Sequence, residues 1–364
     1  MRLRWLSLAL VCCTVTVAAQ QPMPTPKVPL PEGAAPQGGP LTFNVVVTDK
    51  AGHPIRGLQK SDFTLLDDHQ PSEIRSFAAH DWSQPNTAPE GVFLVIDEVN
   101  TGFNNVSIER EQIENYLRRD GGHLPVPMGI FVLTDTGLSQ LTKISTDGND
   151  LANTLHQKNG ELRALTRSGG FYGGTDRLDV SLRGLSSLTD YLARAEGRKL
   201  VIWISPGWWM FDNPNVIVSA KQQQTFFSLL VGYRAAMRKA DMTLYMVDPR
   251  GTNDAGDMYS FLWQSFLKPV KRPNQTQPGN VALQVVAKHS GGLVLFGSND
   301  ITGEIAKCAD DASAWYTLTF DPRLADKADT WHDVEVKVDK PGVTVRTRNG
   351  YYAQPQATGD AVQP

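Results

Sequence analysis

The stretch Val92 to Ile96 is an unbroken apolar run that stops at Asp97. An uninterrupted run of this length is the pattern of a strand buried on both faces, as in a parallel sheet covered by helices on each side. Three more runs repeat it, at Met128–Leu133, Leu200–Ile204 and Thr243–Val247, with a shorter one at Leu293–Phe296. Helical periodicity fills the gaps. Val106, Ile113, Tyr116 and Leu117 share one face, as do Leu178, Leu182, Leu185, Leu188 and Leu192. Further helices carry Asp147–Gln157, then Phe226, Leu229, Leu230, Tyr233 and Met237, then Val281–Lys288, and finally Ile301, Ile305, Cys308 and Ala312. Leu138–Ser145 reads as a short hairpin strand. Strands alternating with helices predict an α/β fold, a mainly parallel doubly wound sheet with helices on both faces.

On each side of this region the period changes to two. Leu41, Phe43, Val45 and Val47 alternate with polar residues, and Phe63, Leu65, Ile74 and Phe77 continue the β pattern. Beyond residue 315 the same alternation returns at Tyr316, Leu318 and Phe320, at Val334, Val336 and Val338, and at Val343 and Val345. Either set alone makes a poor folding unit. The expectation is one small sandwich-like domain built from residues 41–82 and 315–353, with an α/β domain at 90–314 inserted between them. Residues 20–40, rich in Pro, Gln, Gly and Ala, read as a linker, and 354–364 as a disordered tail.

Residues 1–19 have the pattern of a secretory signal: Arg2 and Arg4, an apolar run from Trp5 to Val17, then Val17-Ala18-Ala19 as the cleavage site. That predicts export, to the periplasm or beyond, with no transmembrane segment in the mature chain. Lipidation at Cys12 or Cys13 is disfavoured by the residues before them. Without the signal, Cys308 is the one remaining cysteine, so no intramolecular disulfide is available. It reads as a buried helical thiol, with an intermolecular disulfide as the alternative.

Lys and Arg number 35 against 38 Asp and Glu, a net charge of −3, which lacks the basic footprint of a nucleic-acid binder. Familiar catalytic spacings are missing: there is no Gly-x-Ser-x-Gly and no His-Glu-x-x-His. Gly169 and Gly174 have phosphate-loop spacing before Thr175, but the lysine such a loop needs is absent. The informative segment is Asp97-Glu98-Val99-Asn100-Thr101, where a buried strand meets a loop. Ligands of open α/β sheets bind outside the carboxyl ends of the strands. There, Asp97 and Thr101 offer a carboxylate and a hydroxyl to one hard cation, or Asp97 simply satisfies loop amides.

The sequence resembles the von Willebrand factor type A family in its order of elements and in VFLVIDEVNT at 92–101, GGTDRLDVSL at 173–182 and RKLVIWISPG at 198–207. It is more similar still to an exported bacterial subgroup abundant in acidobacteria, through FNVVVTDKAGHPIRGLQKSDFTLLDD at 43–68, MVDPRG at 246–251, SGGLVLF at 290–296 and RTRNGYYA at 346–353. The resemblance implies a metal-ion-dependent adhesion site holding Mg²⁺ (or Mn²⁺ or Ca²⁺), completed by an acidic residue of the partner. On this chain it maps to Asp97, Thr101 and Thr175. Val99 and Pro206 stand where two further ligands are expected and offer none. Asp135, Asp176 and Asp212 are the candidate substitutes. The site is degenerate, and a metal-free fold keeping a residual Asp97 network is the competing reading.

Trp208, Trp209 and Phe211 follow a strand end on the same face. They read either as a hydrophobic plug or as aromatic anchors for a partner. The long connection at 252–280, with Tyr259, Phe261, Trp263 and Phe266, has the length of a binding loop or lid. Lys268–Arg272 reads as solvated surface. The expected function is a non-enzymatic, exported binding or adhesion-type protein that engages a protein or an envelope polymer. The alternatives are a structural envelope component with an inert loop face, and a hydrolytic enzyme using Asp97 and Asp212 as its acid/base pair.

Overall fold

The computed structural model describes residues 27–29, 31, 39–83, 90–158, 170–208, 218–254 and 258–355. In chain order the strands are β1 (Leu41–Thr48), β2 (Phe63–Asp67), β3 (Gln70–Ser72), β4 (Ser76–Asp81), β5 (Glu90–Asp97), β6 (His123–Thr134), β7 (Gly137–Gln140), β8 (Ser145–Asp147), β9 (Arg198–Ile204), β10 (Met242–Val247), β11 (Val294–Leu295), β12 (Ala314–Phe320), β13 (Thr330–Val338), β14 (Thr344–Arg346) and β15 (Gly350–Ala353). The α-helices are α1 (Phe103–Arg118), α2 (Gly148–Gln157), α3 (Gly170–Leu192), α4 (Ala220–Lys239), α5 (Leu283–His289) and α6 (Ile301–Ala309).

The central sheet runs β11-β10-β9-β5-β6-β7, with β8 also pairing β6. Its pairs β5–β6, β5–β9, β9–β10 and β10–β11 are parallel, and the edge pairs of β6 with β7 and β8 are antiparallel. The alternation along each strand explains why both faces are covered. Val92, Leu94 and Ile96 of β5 join Leu200, Ile202 and Ile204 of β9 in a core under α1, α2 and α6. Phe93, Val95, Val201 and Trp203 point the other way, into a core under α3, α4 and α5. Burying a leucine-sized side chain contributes about 1.5–3 kcal/mol, so the five-leucine stripe of α3 alone accounts for much of that helix's attachment. Cys308 is free and buried in the first of these two cores.

The flanking β segments form two four-stranded sheets, β14-β1-β12-β4 and β15-β13-β2-β3. β1 lies antiparallel to β12, with Leu41 opposite Phe320 and Val45 opposite Tyr316, so the first described strand pairs with one that follows the whole α/β region. Phe43, Val45, Leu65, Tyr316, Leu318, Phe320, Val334 and Tyr351 share the core between the two sheets. A polar seam ties this part to the helices. Asp311, after α6, accepts two bonds from the Arg346 guanidinium of β14, at 2.7 and 2.5 Å, and one from the Tyr245 hydroxyl of β10 at 2.7 Å.

Element ends depart from the sequence pattern where local chemistry intervenes. The helix expected from Val281 begins at Leu283, because Pro278–Val281 is a 3-10 turn closed by reciprocal Gln277–Asn280 capping bonds. Ile74 lies between β3 and β4 rather than in a strand, yet its side chain is in the core. β6 extends back to His123, beyond the expected Met128, and its pairing with β8 shifts register across the segment holding Pro125 and Pro127. Those prolines have no N–H to give a ladder.

Candidate functional site

β5 and β9 are neighbours, and the chain leaving β5 passes to β6 on one side while the chain leaving β9 passes to β10 on the other, so the two connections diverge between them. That switch point is where ligand crevices form in doubly wound sheets. Asp97 is the last residue of β5, and Ser205-Pro206-Gly207-Trp208 follows β9 beside it.

The Asp97 side chain is fully buried. One carboxylate oxygen accepts the Val99 amide at 3.0 Å and the Asn100 amide at 2.9 Å. The other accepts the Asn100 side-chain amide at 2.9 Å and the Trp203 indole N–H at 3.1 Å. Burial raises its pKa, while bonds from Asn100, Ser205 and Trp203 oppose the rise. The loop is therefore folded around the carboxylate. The Asn100 amide also donates to the Ser181 hydroxyl at 2.9 Å, which fastens the loop to α3. Val99 cannot reach solvent, since it is 2% exposed and packs in the α3 core. Gly207 has φ +98, and a Cβ there would stand 2.2 Å from the Gln284 side-chain nitrogen, so the chain leaving β9 turns where only glycine fits.

The other residues singled out in the sequence fall as follows. Thr101 is buried, and its hydroxyl has no partner. Thr175 is also buried but lies inside α3, not on a loop, because the apolar spacing that builds α3 extends through it. Asp135, in the turn between β6 and β7, and Asp176, on α3, are exposed. Among the described residues neither is hydrogen-bonded to the Asp97 network. Asp212, Trp209 and Phe211 lie outside the described residues. Trp208 is a core residue rather than a surface anchor: it is 1% exposed and meets Trp203 edge to face at 6.0 Å between centroids. Its ring is large and apolar, and after the turn at Gly207 it packs into the core under α3, α4 and α5.

This donor set does not fit the cation that the resemblance implies. Mg²⁺ requires oxygen ligands in near-octahedral array, yet all the Asp97 acceptors described above face protein donors, and Val99 and Pro206 supply no side-chain oxygen. The Thr101 hydroxyl is the one orphaned oxygen of the mapped set. Among the described residues, the only group of three His, Cys, Asp or Glu side chains that converge closely enough to hold an ion lies elsewhere, in the β sandwich.

Neighbouring charges are mostly paired. Glu98 is buried against the Arg110 guanidinium, and Asp248, at the end of β10, is forked by Arg250 with a 2.8 Å bond. Glu109 is different. It is fully buried on α1 and neither carboxyl oxygen has a partner. Burial, then the charge of Asp97, raises its pKa well above the usual carboxylate range. Its spacing of four from Ile113 puts it on the buried face of α1, a signal present in the sequence. Phe261 is the conspicuous exposed group at this edge. It is 45% exposed and rests edge to face on Phe296, which follows β11, with centroids 5.4 Å apart. A cavity of about 730 Å³ lies at the opposite, amino edge of the sheet, lined by Trp82, Tyr116, Arg119 and Lys307 among others, and does not open at Asp97.

No family model and no curated protein matches the sequence. Solved structures give distant likenesses. The pilus adhesin SpaC from Lactobacillus rhamnosus GG, in its open conformation, is 10% identical over 86% of this chain and 48% of its own, with a TM-score of 0.37. The human COPII-coat protein Sec24c is 9% identical over 77% of this chain and 46% of its own, at 0.35. The VWA domain of SpRpn10 is 13% identical over 49% of this chain and 95% of its own, at 0.22. The chain spans about half the length of the first solved chains it matches. Likenesses this distant carry no functional argument, so the function rests on the site.

Proposed function

We propose that this chain is an exported, non-enzymatic binding protein of the von Willebrand factor type A-like kind, which engages a protein or envelope polymer through the loops at the carboxyl edge of its central sheet, without a cation at Asp97. The observation that carries the reading is the fully buried Asp97 with its oxygens filled by protein donors. A general base has to lie within hydrogen-bond reach of its substrate, and an adhesion-type ligand has to face the cation. Asp97 faces neither. The antiparallel edge strands β7 and β8 beside an otherwise parallel order, with an aspartate ending β5, support the von Willebrand factor type A-like reading. Contact with a partner falls to exposed loop groups, foremost Phe261, since aromatic side chains are enriched among interface anchors.

The test is adsorption of labelled protein to bacterial envelope fractions, with and without EDTA, comparing wild type with Phe261→Asp. The expected result is saturable adsorption that EDTA leaves unchanged and that falls at least tenfold in the variant. Adsorption abolished by EDTA would reinstate the cation. Adsorption equal in both proteins, or absent from both, would favour an inert structural component.

A further inference from the structure

Asp67 and Asp68 are consecutive, and consecutive residues of a strand point to opposite faces. Here they converge, because β2 ends at Asp67 and Asp68 turns into the left-handed region with φ 49. What they converge on is His332 in β13, which sits opposite Tyr351 of β15. The His332 Nδ1 lies 3.2 Å from an Asp67 oxygen, 3.4 Å from an Asp68 oxygen and 3.4 Å from the Tyr351 hydroxyl. A ring nitrogen carries at most one hydrogen. Three oxygens surround it at or beyond the long end of the N–H···O range, about 3.2 Å. One proton cannot serve all three.

The remaining oxygens are held from behind. The second Asp67 oxygen accepts the Tyr351 hydroxyl at 2.8 Å and the Arg323 amide at 3.3 Å, while Arg323 also donates to the Tyr351 oxygen at 3.0 Å. The second Asp68 oxygen accepts the Asp333 amide at 3.0 Å. Each carboxylate is thus anchored by one oxygen and turns the other toward His332. The three inward atoms all lie within 4.8 Å of one another. In a tetrahedral zinc site with bonds of about 2.0–2.2 Å, ligand atoms stand roughly 3.3–3.6 Å apart, which is close to the spacing His332 already keeps from both aspartates. Asp67 and His332 are buried, whereas Asp68 is exposed and leaves that side open to solvent.

We infer that Asp67, Asp68 and His332 bind one Zn²⁺-like divalent cation in the β sandwich, with Tyr351 as a positioning residue that orients Asp67. One imidazole and two carboxylates suit a borderline first-row ion, and the open side leaves a coordination position for water. The hydroxyl behind Asp67 is the outer-shell partner such sites use. A ligating imidazole must offer its lone pair to the ion, so the ion competes with protons and affinity falls as pH falls. The site is independent of the loop face and of Asp97.

The experiment is calorimetric titration of the full chain with Zn²⁺, alongside visible absorption of Co²⁺ in its place. Wild type is expected to bind one ion and to show ligand-field bands with Co²⁺. Asp68→Asn keeps an acceptor for the Asp333 amide and tolerates the left-handed turn, so the fold is retained while affinity falls at least tenfold. Tyr351→Phe should weaken binding about 10- to 100-fold, and His332→Gln should abolish the Co²⁺ bands. Asp97→Asn should bind Zn²⁺ like wild type, which separates this site from the carboxyl edge. No binding by wild type, or affinity unchanged in Asp68→Asn, overturns the proposal, and circular dichroism of each variant verifies that it is folded.

Discussion

Replacing Asp97 by Ala asks whether the carboxylate serves the fold or a ligand. The substitution removes the acceptor of the buried Val99 amide and Trp203 indole, of the half-buried Asn100 amide and of the Ser205 hydroxyl. The Asn100 side-chain amide keeps Ser181. Each buried donor left unsatisfied costs about 1–3 kcal/mol. Removing the carboxylate also removes its own burial cost, the leading cause of its raised pKa, and this offsets part of the loss. The expected net destabilisation is about 2–4 kcal/mol, a large share of a typical stability of about 5–15 kcal/mol. Urea denaturation followed by tryptophan fluorescence reads it as a lower midpoint at unchanged slope. The loss should be the same in EDTA and in millimolar Mg²⁺. A cost below about 1 kcal/mol would refute the structural role. So would a wild type stabilised by Mg²⁺ in an increment that vanishes in the variant, because that is the linkage signature of a ligand.

Two further substitutions probe the surroundings. Asp311→Ala strands the Arg346 guanidinium and the buried Tyr245 hydroxyl, and breaking a buried pair from one side should cost about 3–5 kcal/mol; a midpoint within error of wild type in the same urea assay would show the seam to be dispensable. Glu304 has its pKa raised to about 7, first by burial and then by Asp248 and Asp300. A folded pKa above the unfolded one means that its stabilising contribution is full below about pH 4.5 and is lost as pH rises through about 7. Glu304→Gln should therefore gain on wild type by about 1–2 kcal/mol between those limits, discounted for partial exposure. Thermal midpoints that run parallel from pH 4.5 to 8 would contradict it.

The parts of the fold readable in the sequence are those that depend on short-range pattern. The runs at 92–96 and 200–204 are strands whose alternate residues enter opposite cores, and the leucine stripe at 178–192 is the buried face of α3. What could not be read depends on distant segments meeting. Asp97 was visible as a carboxylate at a strand end. The donors that fill it come from its own loop and from Trp203 of β9, and that loop is pinned to Ser181 of α3. Hydropathy alone leaves Trp208 as either plug or anchor, because it does not say which way a ring turns after Gly207. The meeting of Asp67 with His332, 265 residues apart, follows from the register of β2 on β13, with Val334 opposite Asp67, and no local period records it.

The pairing of β1 with β12 also bears on how the chain reaches its folded state. Thr42 lies 277 residues before its partner Thr319, and contacts of such separation form late because a long loop has to be closed first. Until β12 to β15 are available, β1, β2 and β4 present unpaired edges and one side of an unsealed apolar interior, a surface prone to wrong strand pairing. A nascent chain halted after α6 would be a sticky half-sandwich carrying an α/β core. If the chain is exported as proposed above, the same arrangement acts as a delay, since the sandwich cannot close before its last strands have emerged.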